Sequence, residues 1–242
     1  MEVYRWTSLD STNIRAKALI TSGHRSPALL VTETQSLGKG QQGRSFSSPQ
    51  GGLYCTFLDS TDLAPSWLPC VTLAVGVACA EVLEELGKMD VQLKWPNDLY
   101  LNGHKLGGIL CESMRPPDQS LWLLIGIGLN LNNRISQYPR AIRSRVTTLY
   151  EETGRTVDIH FVLSQLGERL YKKRTLLVHD RKKLLAQWQK RDYLYGEWVQ
   201  YDDGKSRRVA RGKGMVDDGR YCIQFPDGKQ IKVLSGRLLP HG

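Results

Sequence analysis

The chain has 242 residues, 24% of them charged and 40% hydrophobic, a composition suited to one globular domain with room for a small appendage. No run reaches the roughly eighteen apolar residues of a membrane span, and the opening MEVYRWTSLD lacks the charged and apolar segments of a signal peptide, so neither a membrane-embedded nor a secreted protein is expected. The net charge of +9 is confined to one end: residues 1–170 carry 16 basic and 16 acidic side chains, residues 171–242 carry 17 and 8. A nucleic-acid-binding tail, a docking surface for an acidic protein and a solvated basic face are all compatible with that excess.

In chain order, STNIRAKALITSG reads as a helix opened by Ser11 or Thr12 and closed at Gly23. ALLVTE, 28–33, is a short apolar strand. LGKGQQGRSFSSPQGG contains a literal G-x-G-x-x-G at Gly38, Gly40 and Gly43, the spelling of a dinucleotide-binding turn. That motif requires a helix opening within it, and RSFSSPQGG is loop chemistry, so NAD binding is rejected. Arg44 stands where a Walker A loop has lysine. VTLAVGVACAEVLEELG reads as a buried helix ending at Gly87. VQLKW, DLYLN, KLGGILCES and LWLLIGIGLNL follow as strands, the second and third joined by a tight Asn102-Gly103 hairpin. Asp158 caps a helix over IHFVLSQLGERLYKKRTLL, and RKKLLAQWQKR forms another. From Tyr193 the pattern becomes short alternating runs cut by D-D-G and P-D-G turns, a small β unit of about five strands. The class is therefore α+β, divided into residues 1–190 and 191–242. Five cysteines (55, 70, 79, 111 and 222) form no C-x-x-C pair, and the first four sit in apolar surroundings. Buried free thiols in a reducing cytoplasm are expected, and no metal ligand is assigned.

KWPNDLYLNGHKLGGILCES carries the densest chemistry. Lys94, Asp98 and Lys105 lie among apolar strand residues, where charge is costly unless paired or facing a ligand. Lys105 directly follows the hairpin and precedes Gly107-Gly108, glycines that mark close approach of a ligand or another backbone. A Lys94–Asp98 ion pair with no ligand is the alternative.

This segment resembles the K-W-P-N-D stretch of biotin–protein ligases. GKGQQGR resembles their glycine-rich loop, GIGLNLN their following G-I-G-x-N strand, and LDSTN their S-T-N biotin contact; the four occur in family order. The resemblance implies a mixed-sheet catalytic domain of the biotin/lipoate ligase type with a small C-terminal SH3-like barrel. It implies attack of biotin on the α-phosphate of ATP, with Mg2+, to give biotinyl-5′-AMP, then transfer to a lysine of a biotin carrier domain. Ser11, Thr12, Asn13 and Gln35 match biotin-contacting positions. Gly38, Lys39, Gly40, Gln41 and Arg44 match the loop over the intermediate. Lys94, Trp95, Asn97, Asp98, Lys105 and Gly107 match the central motif, with Trp95 as an adenine stacking face, Arg44 and Lys105 countering charge at the α-phosphate, and Asp98 placing metal or taking a proton. Asn130 matches a nucleotide contact. Lys39 and Gln41 depart from arginines of the relatives. The early position of Ser11 leaves no room for the N-terminal helix-turn-helix of bifunctional relatives, so no specific DNA binding is expected, and either a monomer or a homodimer suits the family. A lipoate ligase or octanoyltransferase is the nearest enzyme alternative, and a nucleic-acid-binding protein using the basic C-terminal third is the alternative outside enzymes.

Overall fold

The computed structural model describes residues 1–234 and 236–240. Seven strands, β1 (Glu2–Leu9), β2 (Ala28–Gln35), β3 (Leu53–Ser60), β4 (Gln92–Lys94), β5 (Asp98–Leu101), β6 (His104–Met114) and β7 (Trp122–Leu129), form one sheet in the order β1-β2-β3-β7-β6-β5-β4. Only β1 and β2 pair in parallel. A parallel pair needs a crossover, and helix α1 (Thr12–Thr21) supplies it, which sets the Ser11–Asn13 turn at one end of the sheet.

The two faces of the sheet follow from side-chain alternation. On β7, Ile127 and Leu129 join the large core beneath α2 (Leu68–Gly87), whereas Leu124 joins Ala16 and Ile20 of α1. Gly126 and Gly128 fall on the α1 face, so the sequence GIG leaves a hollow there. Helices α4 (Ile159–His179) and α5 (Arg181–Gln189) cover α2 from outside, with the short α3 (Leu149–Thr153) preceding them. This burial on every side explains why α2 is apolar nearly all round.

The expected helices and central strands are present. Asp158 accepts from the His160 N–H as the α4 cap, and Asn102 and Gly103 take φ of 48° and 78°, as a two-residue hairpin demands. Helix α2 starts at Leu68, ahead of the apolar period, because Pro69 fits a first helical turn. Strands β1 and β3 were not foreseen. β3 is buried at six consecutive positions and so shows no alternation, while β1 is an edge strand with much of its length exposed. All five cysteines are free; Cys111 is half-buried and the other four are buried.

Strands β8 (Trp198–Asp202), β9 (Arg207–Met215), β10 (Tyr221–Gln224), β11 (Gln230–Val233) and β12 (Arg237–Pro240) form an antiparallel sheet in the order β11-β10-β9-β8-β12, compatible with the SH3-like unit expected. Its attachment bears directly on the site. The Leu93 N–H donates to the Arg191 carbonyl at 2.7 Å, and the Tyr193 N–H returns to the Leu93 carbonyl at 3.0 Å. Two residues further on, Trp95 stacks at a tilt on Tyr221, ring centroids 5.8 Å apart.

Asp192 is half-buried in this joint, accepting from the Leu194 N–H at 2.9 Å and the Tyr221 hydroxyl at 2.8 Å. Burial pushes its carboxyl up from 3.8 to about 6, against the lowering effect of those two donors. The folded chain keeps this proton up to about pH 6 and the unfolded chain releases it near 3.8, so stability falls as pH rises through that window and stays lower above it. Two pKa steps set a ceiling of about 3 kcal/mol on the loss. Asp192→Asn, which retains an acceptor for the Leu194 N–H, is expected to raise Tm at pH 7.5 and to give little change at pH 4. Equal Tm shifts at the two pH values would contradict this.

Candidate active site

A cavity of about 110 Å3 opens on the α1 face of the sheet. Ser11, Thr12, Asn13 and Gln35 all line it. Ser11 occupies the helix N-cap without a side-chain cap bond, leaving its hydroxyl for the cavity. The Thr12 N–H donates to Gln35 Oε1 at 2.9 Å, Gln35 Nε2 to Ser48 Oγ at 2.8 Å, and Thr56 Oγ1 to Asn13 Oδ1 at 2.6 Å. These polar groups are therefore fixed before any ligand arrives.

Residues 38–46 close over this cavity as a hairpin. The Phe46 N–H donates to the Gly38 carbonyl at 2.8 Å, the Gly40 N–H to the Arg44 carbonyl at 2.7 Å, and Lys39 bridges to Ser45. The tip is a single 3-10 turn, Gln41–Gly43, and no helix opens within it, as the loop chemistry of RSFSSPQGG implied. Lys39, Gly40, Gln41 and Arg44 line the cavity. Gly38 does not; a Cβ there would run into the Phe46 carbonyl, so this glycine serves closure of the hairpin.

A second cavity of about 270 Å3 continues from the first, sharing Arg44, Ser45, Phe46, Asn97, Asp98 and Lys105. It adds Lys94, Arg145 and Arg237, so five cationic side chains and one carboxylate line it. Lys105 Nζ donates to Asp98 Oδ1 at 2.5 Å, which places the ion pair at the junction of the two cavities. The alternative Lys94–Asp98 pair is not formed. Lys94 instead lies 5.1 Å over the Tyr100 ring and is only 6% exposed. Burial pushes its ammonium down to about 8; Asp98 opposes that shift, while Lys105, Arg237 and Arg44 reinforce it. Asn130 Nδ2 donates to the Thr147 carbonyl at 2.9 Å, leaving buried Oδ1 with no partner beside the cavity. An orphaned buried acceptor beside a cavity is available to a donor from water or a ligand.

Three central-motif positions, Trp95, Gly107 and Asn97, also carry structural duties. Trp95 lines the second cavity, but it is 3% exposed, packs at a tilt on Tyr221 and donates from Nε1 to the Gly219 carbonyl at 3.4 Å, so the indole also joins the two sheets. Gly107 lines neither cavity. A Cβ there would sit 2.7 Å from the Gly128 carbonyl, so close strand packing excludes a side chain. Asn97 lines both cavities, but its Nδ2 is committed to the Ile109 carbonyl at 2.7 Å, and it acts as a clamp on β6. Sequence reasoning missed Phe46, Thr56, Arg145 and Arg237. It also missed Gly126 and Gly128, although the alternation of glycine in LLIGIGLN signalled a sheet face stripped of side chains; Gly108, noted as a mark of close approach, does line the first cavity. The Phe46 ring lies over Gly128 and Gly108 where the cavities meet, with Lys105 Nζ 5.8 Å from its centroid.

Among the described residues no cluster of three or more His, Cys, Asp or Glu could hold a metal, and no helix is long and apolar enough to cross a membrane. A small polar cavity beside a cation-lined one, with a lysine at their meeting point, can bring a carboxylate against a phosphate chain and stabilise the charge that develops. That is the geometry of acyl-adenylate formation. Residues 6–132 match the family described as biotin/lipoate A/B protein ligase, and the chain belongs to that family. The bifunctional ligase/repressor BirA of Salmonella typhimurium is 32% identical over 247 residues, covering 96% of this chain and 75% of its own. A biotin–[acetyl-CoA-carboxylase] ligase of Paracoccus denitrificans is 27% identical, covering 92% and 94%. Among solved structures, a biotin protein ligase from Aquifex aeolicus in complex with biotin and ATP superposes with a TM-score of 0.83 at 29% identity, covering 98% of this chain and 97% of that one.

Proposed function

We propose that this chain is a biotin–protein ligase that forms biotinyl-5′-AMP from biotin and ATP and passes the biotinyl group to a lysine of a biotin carrier protein. The observation that carries this reading is the pair of cavities meeting at Lys105 and Asp98. Residues 1–190 form the catalytic unit and residues 191–242 an appended β unit that lends Arg237 to the cation-lined cavity. The smaller cavity takes the ureido ring through Ser11, Thr12, Asn13 and Gln35, and the larger takes the nucleotide. In the first step a biotin carboxylate oxygen attacks the α-phosphorus and pyrophosphate leaves. Both reactants are anionic, and Lys105 and Arg44 offset their repulsion and the charge that builds in the transition state. In the second step the carrier amine attacks the acyl carbon and AMP departs. The unpaired Asn130 Oδ1 offers an acceptor to an adenine amino group. Mg2+ would arrive on the triphosphate and take most of its ligands from phosphate and water, with Asp98 the one carboxylate lining either cavity among the described residues. Five free cysteines suit a reducing compartment such as the cytoplasm. Biotin-dependent exchange of pyrophosphate into ATP tests the reading; exchange driven by octanoate or lipoate and not by biotin would overturn it.

Gln41 lines the first cavity at the tip of the covering hairpin, where it offers a neutral hydrogen bond to the intermediate. A charged donor exceeds a neutral one by about 1 kcal/mol, roughly fivefold in lifetime. Gln41→Arg is therefore expected to slow release of biotinyl-AMP about fivefold. Equal release rates from the two proteins would mean that Lys39 and Arg44 alone hold the phosphate.

The basic surplus of residues 171–242 is read as a docking face for an acidic carrier. Steering between exposed charges is screened by salt, so transfer to carrier is expected to slow as ionic strength rises while adenylation changes less. A transfer rate indifferent to salt would contradict this.

A further inference from the structure

Glu112 lies on β6 behind the first cavity and does not line it. Its Oε1 holds Lys17 Nζ at 2.6 Å, and its Oε2 accepts from Asn13 Nδ2 at 2.9 Å. Asn13 Nδ2 also donates to the Leu110 carbonyl at 3.2 Å. A carbonyl and a carboxylate can only accept, so both demand the amide nitrogen, and the Asn13 side chain cannot be turned over without facing oxygen to oxygen. The Thr56 hydroxyl, 2.6 Å from Asn13 Oδ1 and 2.8 Å from Thr12 Oγ1, can turn its one proton to Asn13 Oδ1 and so accommodates the polarity that Glu112 and Leu110 impose. Oδ1 is consequently fixed over Gly126, on the cavity wall, where a Cβ would collide with it. One lone pair answers Thr56 and the other is left for a ligand.

We infer that Glu112, anchored by Lys17, is a positioning residue that fixes the Asn13 amide with its oxygen toward the cavity, and so makes the site select a head group that presents an N–H there. This rests on the reading that the first cavity receives the ureido ring of biotin. A cyclic urea carries two N–H donors flanking a carbonyl, so it matches an inward-facing acceptor. A head group with ring oxygen in place of nitrogen puts two acceptors against each other. Without Glu112, one of the two groups holding the amide nitrogen is lost, and the amide can turn to suit either ligand.

The test measures biotin KM and kcat in the pyrophosphate exchange for wild type, Glu112→Ala and Glu112→Gln. Two biotin analogues, each with one ureido N–H replaced by a ring oxygen, are run alongside. Wild type is expected to disfavour at least one analogue by about tenfold or more, since a buried acceptor left unanswered is costly. In Glu112→Ala, biotin KM is expected to rise about fivefold with kcat little changed, and the penalty on that analogue to shrink to about twofold. Glu112→Gln, which still offers an oxygen to Asn13 Nδ2, is expected to restore both values to near wild type. If thermal melting shows Glu112→Ala to be unfolded, Lys17→Met serves in its place, releasing the carboxylate and shifting both readouts in the same direction by a smaller factor. Direct titration of biotin into wild type separates the two layers. No binding there would remove the cavity assignment and the inference with it. Intact biotin binding with unchanged KM and selectivity in the folded variant would overturn the inference alone.

Discussion

Lys105→Ala is expected to lower biotin-dependent pyrophosphate exchange about a hundredfold while leaving the fold intact. Loss of a charged hydrogen bond accounts for about 1.5–3 kcal/mol, and a second effect acts in the same direction. Asp98 loses its partner at 2.5 Å and becomes an unneutralised carboxylate facing the phosphate chain. The cation-lined cavity would then hold four positive groups and one free negative group, the wrong balance for two anions approaching each other. The Lys105 side chain is 30% exposed, so its removal opens no large internal void and Tm should move by only a few degrees. Exchange within threefold of wild type in a folded Lys105→Ala protein would refute the assignment of this lysine.

Gly126→Ala is expected to act on the other substrate. The added Cβ meets three atoms of the Asn13 amide, with Cγ at 3.0 Å and Nδ2 at 3.1 Å and the oxygen nearer still. Asn13 is held by Leu110, Glu112 and Thr56, so it cannot yield without breaking those bonds. Overpacking of this kind costs about 1–3 kcal/mol, and here it falls on the group that reads the ligand. Biotin KM should rise at least about tenfold, whereas the KM for ATP, set in the neighbouring cavity, should change less than about threefold. Parallel changes in both constants would indicate general loosening of the sheet.

The helices were legible where they carry their own punctuation, Asp158 as a cap and Gly87 as a stop; Pro69, which lets α2 start ahead of its apolar period, was passed over. The hairpin at Asn102-Gly103 was legible for the same local reason. Strand β3 was not, since burial on both faces removes the alternation by which a strand is read. At the site, charged residues in apolar strands drew attention to Lys94, Asp98 and Lys105, but their partners depended on strand register. Two residues facing one another across β4 and β5, Lys94 and Asp98, are poised to pair, yet β6 brings Lys105 closer to the carboxylate. Trp95 has the same origin: nothing local announces that Tyr221 and Gly219, more than a hundred positions away, will occupy its ring and its N–H. Arg237 and Arg145 were invisible because a single arginine in a basic segment becomes a site residue only when tertiary folding lays it on a cavity. Glycine was the most informative residue type, though for two reasons that the sequence does not distinguish. Gly126 and Gly128 make room for the Asn13 amide and the Phe46 ring on the cavity wall, whereas Gly107 makes room for a neighbouring strand.

The central claim is that one chain couples the two cavities to carry biotin from its free acid to a protein lysine. The most direct test incubates the purified protein with labelled biotin, ATP, Mg2+ and a biotin carrier domain, and follows both pyrophosphate and label. The account predicts pyrophosphate release that requires biotin, and label on a single lysine of the carrier, lost when that lysine is changed to arginine. Carrier that stays unlabelled while octanoate or lipoate drives the pyrophosphate release would contradict it.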